Sequence, residues 1–144
     1  EMALPKSVNE FRSLIDRFEK GVLPQKEWRH PEHVAVAFWY LSQLDEDLAI
    51  DRIRFGIQHL NQIHGVVQTP TSGYHETWTI FLAKILRRYI ECDLDRSLPI
   101  IDQMKLAVQY LSDFREITRE YYSLKLANSW VARTTWQEPD LKSL

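Results

Sequence analysis

Residues 30–65 read HPEHVAVAFWYLSQLDEDLAIDRIRFGIQHLNQIHG. Two apolar patterns of helical period flank the short polar turn LDED at 44–47. In the first, His33, Ala37, Tyr40, Leu41 and Leu44 share one stripe at about 100° per residue. In the second, Ile53, Ile57, Leu60 and His64 form a line, so His64 ends a buried stripe. Pro31 suits a first helical position with His30 as its cap, Asp47 opens the next helix, and Gly65 follows its end. This predicts helices over about 31–43 and 47–64. A connection this short makes them antiparallel neighbours.

The same periodicity extends in both directions. Ser7 and Glu10 form an S-x-x-E capping box, and Phe11, Leu14, Ile15 and Phe18 follow at helical spacing until Gly21, which predicts a helix over 8–20. After the polar loop 65–73, YHETWTIFLAKILRRYIE at 74–91 carries Tyr74, Trp78, Phe81, Ile85 and Tyr89 on one stripe. Pro99 begins a fifth helix ending near Ser112. Shorter helical pieces with breaks near Ser123 and Ser129 are expected beyond it, then a tail pinned by Trp136 and Leu141. No stretch alternates with period two, and no repeat or linker interrupts the chain. The class is all-α: one domain over residues 1–144, an antiparallel bundle of five to six helices with a partly irregular C-terminal tail.

Composition narrows the function classes. The 144 residues are 44% hydrophobic and 26% charged, as in an ordinary globular domain with a real core. Five Trp against four Gly favour bulky helix packing over turn-rich β architecture. The net charge of −2 comes from well-mixed residues, and Arg87-Arg88, the basic doublet that stands out, reads as a solvated helix face. No basic tract suggests a nucleic-acid partner. The strongest apolar run, VAVAFWYL at 34–41, is too short for a membrane span. EMALPKSVNE at 1–10 has no apolar leader-like core. The single cysteine, Cys92, excludes an internal disulfide and lies beside Glu91 and Asp93, which disfavour a thiolate. The expected location is cytoplasmic.

The histidines supply the candidate site. His30 and His33 start the second helix, His64 ends the third, and His75 starts the fourth. Antiparallel helices bring all four to one end of the bundle, while His59 lies near Arg52 on the solvent face. Helix N-termini disfavour an imidazolium, so His30, His33 and His75 are expected to be neutral, whereas His64 at a C-terminus holds a proton more readily. Imidazoles biased in both directions are suited to acid–base chemistry. Tyr74 and Glu76 belong to the same helix mouth, with Glu76 turned towards Lys84 and Arg87. Arg133, set in SWVARTTW among apolar residues, is a candidate anion anchor. A salt bridge to Glu138 or Asp140 is its more ordinary use. Tyr121, Tyr122 and Trp136 are candidate aromatic walls, although such residues are more often core.

A plain structural account competes with this. A histidine N-cap and a glutamate in a first helical turn are common, and a single buried histidine is more often a hydrogen-bonded core residue than a ligand. H-x-x-H is not H-E-x-x-H, and paired E-x-x-H helices of the di-iron kind are missing. Glu27 precedes His30 at that spacing but lies in a connector.

The segments EWRHPEHVAVAFWYL, TPTSGYHETWT, YYS and SWVARTTWQEPDL resemble a family of small, uncharacterised bacterial proteins over nearly the full length. Its W-x-H-x-x-H, G-Y-H-E-T-x-T and A-R…W-x-x-P-D segments match Trp28, His30, His33, Gly73 to Thr77, Thr79, Ala132, Arg133, Trp136, Pro139 and Asp140. His64 falls outside that pattern. The resemblance implies no activity, cofactor or substrate, but it groups the N-terminal histidines with the Arg133 segment.

Three readings stand at this point. The leading one is a pocket of His30, His33, Tyr74, His75 and Glu76, with Arg133 as anchor, that binds a small polar or anionic molecule. In its catalytic form His33 or His75 is the base and Glu76 the orienting partner. The second is a divalent transition-metal site with His30, His33 and His75 as ligands and His64 or Glu76 as the fourth. The third is a non-catalytic interaction module whose histidines cap and fill.

Overall fold

The computed structural model describes residues 4–144; Glu1 to Ala3, part of the stretch read as lacking a leader and of the domain 1–144, lie outside it. Eight α helices occur among the described residues: α1 Val8–Lys20, α2 His30–Gln43, α3 Glu46–Ile63, α4 Glu76–Cys92, α5 Ile100–Tyr110, α6 Phe114–Tyr121, α7 Leu124–Ala127 and α8 Trp130–Thr134. A 3-10 turn, Gln25–Glu27, joins α1 to α2. The fold is all-α, as expected. The helix count exceeds five to six because the C-terminal third is divided into three short helices, each opened by an Asp or Ser cap: Asp113, Ser123 and Ser129. None of the helices is long and apolar enough to cross a membrane.

The helix ends show where local chemistry decides. Ser7 Oγ accepts the Glu10 N–H at 3.2 Å, but the Glu10 carboxylate reaches back to the Lys6 N–H, so the box is shifted by one residue. Gly21 closes α1 with φ +71°, a left-handed conformation that glycine adopts without strain. Arg29, not His30, occupies the cap position of α2. The buried Glu32 carboxylate accepts the Arg29 backbone N–H at 3.2 Å and pairs with its guanidinium at 3.0 Å. His30 is thereby released to point elsewhere. Arg87 and Arg88 are bound instead of freely solvated, donating to the Leu44 carbonyl and the Tyr121 hydroxyl.

Helix α2 packs against α3, α4 and α5, and α3 packs against α4. Ion pairs fix the sense of the last contact. Lys84 midway along α4 meets Glu46 at the start of α3, whereas Glu76 at the start of α4 meets Arg54 in mid-α3, each at 2.8 Å. These pairs run in opposite directions, so the two helices are antiparallel. Phe11, Phe18, Phe38, Leu41, Leu60, Phe81, Leu86 and Met104 form the centre of the core, all essentially inaccessible.

Helix α1 approaches α3 through Gly56, where an added Cβ would overlap the Phe18 ring. Alanine would gain about 1 kcal/mol of helix propensity, but overpacking at a closed contact costs about 1–3 kcal/mol. Gly56→Ala is therefore expected to lower stability in urea denaturation. Equal or higher stability would mean that α1 can move away freely.

Candidate functional site

The mouth of α4 is built by the loop before it. Gly73 has φ +92°, and a Cβ there would approach the Gln68 Oε1 to 2.6 Å. The Gln68 amide clasps the next residue at both backbone groups, accepting the Tyr74 N–H and donating to the Tyr74 carbonyl, each at 2.9 Å. His75 then caps α4: its Nδ1 accepts the Trp78 N–H at 3.1 Å, and its ring stacks on Trp78. Tyr74 and His75 thus precede α4 and do not belong to its first turn.

A second device attaches the C-terminal segment to this mouth. Thr77, fully buried, donates its hydroxyl to the Thr135 carbonyl at 2.8 Å and accepts the Gln137 N–H at 3.1 Å. Helix α8 consequently lies against α4, and Arg133 reaches the Gly73 carbonyl at 3.0 Å.

Between α2, α3 and α4 lies a cavity of about 310 Å³. Its aromatic walls are Trp28, Trp78, Tyr74 and Phe114; its aliphatic floor includes Ala37, Ile53, Ile57 and Leu82. His30, His33 and His75 all line it, with Asn61 and Thr79. The expected convergence of α2 and α4 histidines is therefore present. The walls expected from Tyr121, Tyr122 and Trp136 are not. Tyr121 and Tyr122 are core residues against Phe81, and Trp136 lies under Lys84 beside another cleft.

The three cavity histidines differ in what their nitrogens do. His30 Nε2 lies 2.7 Å from the Leu111 carbonyl oxygen. A carbonyl can only accept, so Nε2 carries the proton. His75 Nε2 donates in the same way to the Ala127 carbonyl at 3.2 Å, and its Nδ1 is already used by the cap. His33 stacks on Trp28 with ring centroids 3.9 Å apart and, among the described residues, neither ring nitrogen has a hydrogen-bond partner. Burial, then the neighbouring His30 charge, push its pKa down to about 3. Burial lowers His75 as well, with Arg133 adding in the same direction. Both are neutral at pH 7, mainly through desolvation and not through the helix dipole invoked above.

The remaining expected members are placed differently. His64 caps the end of α3 and bonds to the Leu23 carbonyl at 2.8 Å, away from the cavity lining. His59, expected on the solvent face, is half-buried against Gly21 and Phe55. Glu76 does not orient His75. It turns to α3, where Arg54 holds it with Nε at 3.0 Å and Nη2 at 2.8 Å, and Tyr74 donates to it at 2.6 Å. Burial raises its pKa, but the Arg54 and Tyr74 hydrogen bonds outweigh that and hold it below the usual carboxylate range. Arg133 makes no salt bridge to Glu138 or Asp140, because Glu138 accepts from Trp136 and Asp140 clasps Ser123.

The four-histidine metal set is not assembled: among the described residues no three His, Cys, Asp or Glu side chains are grouped to hold a metal ion. The physical reason lies in the hydrogen bonds, which occupy both nitrogens of His75 and turn His64 outward. Sequence reasoning missed Asn61 and Phe114 as lining residues and Thr77 as the anchor. A small hydroxyl in the first turn of an apolar helix was the available signal for Thr77, since a buried hydroxyl needs partners.

No protein-family model matches the chain, and no curated protein or solved structure matches it.

Two outcomes follow from this geometry. Thr77→Val removes both hydrogen bonds of the buried Thr77 hydroxyl, to the Thr135 carbonyl and from the Gln137 N–H, so a loss of about 1–3 kcal/mol is expected in denaturant titration; unchanged stability would show that the anchor is dispensable. The low pKa of His33 means that the unfolded chain takes up its proton first, near pH 6.5, as the solution is acidified. Stability is thus full above that pH and declines as pH falls towards 3, by up to about 1.4 kcal/mol per pH unit for one proton. His33→Leu should flatten the fall in melting temperature between pH 6.5 and 5, where carboxylates remain ionised. An identical slope in wild type and variant would show that His33 titrates as a free imidazole.

Proposed function

We propose that the protein binds a small, planar, polar molecule in the cavity between Trp28, Trp78 and Phe114, with His33 as its hydrogen-bonding contact. The observation that carries this reading is that, among the described residues, neither His33 nitrogen has a hydrogen-bond partner at the wall of an aromatic cavity. A ring nitrogen that lines a cavity and has no protein partner is open to a ligand or water; the one fully buried unpaired side-chain nitrogen among the described residues, His59 Nδ1, lies outside this cavity. A neutral imidazole presents one donor and one acceptor, which suits a heteroaromatic or amide edge. The volume is at the lower end of the range of about 300–1,000 Å³ for small-molecule pockets.

Binding fits the site better than acid–base turnover. A base with a pKa near 3 takes protons poorly at neutral pH, and His75 would have to give up its cap to act. Within this proposal we keep the cytoplasmic location, supported by the lone exposed Cys92, and the likeness to the small bacterial W-x-H-x-x-H family. The motif residues Trp28, His30, His33, Gly73, Tyr74, His75 and Thr79 all line the one cavity, which supports treating them as a unit.

The test is His33→Leu with a calorimetric and thermal-shift screen of small heteroaromatic compounds. The leucine can join the Ala37–Leu41 stripe, so the variant is expected to fold with equal or higher melting temperature. It should also lose binding of the wild-type hits by tenfold or more. A clear loss of stability with binding intact would make His33 a packing residue and remove the proposal.

A further inference from the structure

A second cleft, of about 610 Å³, adjoins the histidine cavity and shares Asn61, Val66 and Tyr74 with it. Its wall carries two guanidinium groups, those of Arg54 and Arg133. They are not equivalent. Arg54 is held by two carboxylates, Glu76 and Asp51, each at 2.8 Å. Among the described residues Arg133 forms no ion pair, and its guanidinium makes a single hydrogen bond, to the Gly73 carbonyl. The carboxylates nearest in sequence are occupied at Trp136 and Ser123. One positive charge is therefore left without its counter-charge, half-buried where the cleft begins. Gly73 lines the histidine cavity, so the Arg133 guanidinium is 3.0 Å from an atom of that cavity's rim.

Resting on the pocket reading above, we propose that the ligand is an anion with two parts: a planar ring between Trp28 and Trp78, and a carboxylate or phosphate reaching over the Tyr74–Asn61 rim to Arg133. A guanidinium has five donors in a fixed fork, and one bond to a carbonyl leaves the remainder for an oxyanion. The Asn61 and Gln62 amides on the same wall can donate to its other oxygens. On the ring side His33 and His75 are neutral and neither attract nor repel the charge; in the cleft the Glu76 carboxylate is matched by Arg54, which leaves Arg133 as the cation that selects an anionic ligand.

Isothermal titration with three probes whose ring N–H can donate to His33 tests this: indole-3-acetate, its neutral amide and indol-3-yl phosphate. The wild type should bind at least one of the two anions about 10- to 100-fold more tightly than the amide, as expected for a hydrogen bond to a charged group. The tighter of the two anions identifies the oxyanion chemistry. Arg133→Met should abolish that preference while leaving amide affinity unchanged, which also shows that the variant is folded and its cavity intact. Arg133→Lys should restore part of the preference. Equal wild-type affinity for acid and amide overturns the proposal, and so does a preference that survives Arg133→Met. A loss of acid and amide by the same factor also overturns it, since Arg133 would then only hold the Gly73 loop. Binding of none of the three probes would count against the pocket reading itself.

Discussion

One buried hydroxyl holds the candidate site together. Thr77 is the point at which the irregular C-terminal segment is fastened to the bundle, as donor to one backbone group and acceptor from another 60 residues away. Helix α8 buries little itself, since Trp130 and Val131 are about half exposed and only Ala132 is buried, so its place depends on such bonds, with the Asp140–Ser123 and Tyr122–Gln137 bonds holding the chain that follows. With Thr77 in place, the Gly73 carbonyl acquires Arg133, and α8 is fixed against the start of α4. Each bond contributes about 1 kcal/mol, a small amount against the core. Its importance is positional, because it determines which groups face the loop of residues 65–75.

Much of the fold was legible from periodicity, and the reason is physical. Helices α1, α3, α4 and α5 are amphipathic, α2 is apolar on nearly every side, and caps such as Ser7 and Gly21 are local chemistry; α3, however, is capped by Asp45 and not opened by Asp47 as expected. Convergence of His33 with His75 was also legible, because a short α2–α3 connection and an antiparallel α4 leave few other arrangements. The partners of the polar groups were not. Glu76 could have met Lys84 on its own helix, but Arg54 on α3 offers a bidentate geometry that a lysine cannot. His30 has the composition of a cap, yet Arg29 and the buried Glu32 occupy that role.

Arg133 shows the same limit in another form. Glu138 and Asp140 are close in sequence, and proximity alone favours a salt bridge. The chain turns between them, and each carboxylate meets a group already fixed by other bonds: the Trp136 indole for Glu138, and the Ser123 backbone and hydroxyl for Asp140. A local rule therefore gave the wrong partner because the local groups were satisfied by tertiary structure first.

The histidines divide on one principle, and it is the strongest argument for reading the cavity as more than packing. The last carbonyls of a helix lack internal donors and carry partial negative charge. Leu111 is the C-cap of α5 and Ala127 the last residue of α7. Their carbonyls receive the Nε2–H of His30 and His75, so those two imidazoles join the start of one helix to the end of another. His64 acts similarly on the Leu23 carbonyl. For these three, capping is a sufficient explanation of why a histidine stands there. Among the described residues His33 has no carbonyl to satisfy and no N–H to accept. A leucine would continue its apolar stripe, yet the position carries an imidazole stacked on Trp28. Structural chemistry accounts for three of the four histidines at this end of the bundle, and His33 is the one whose ring nitrogens find no partner among the described residues.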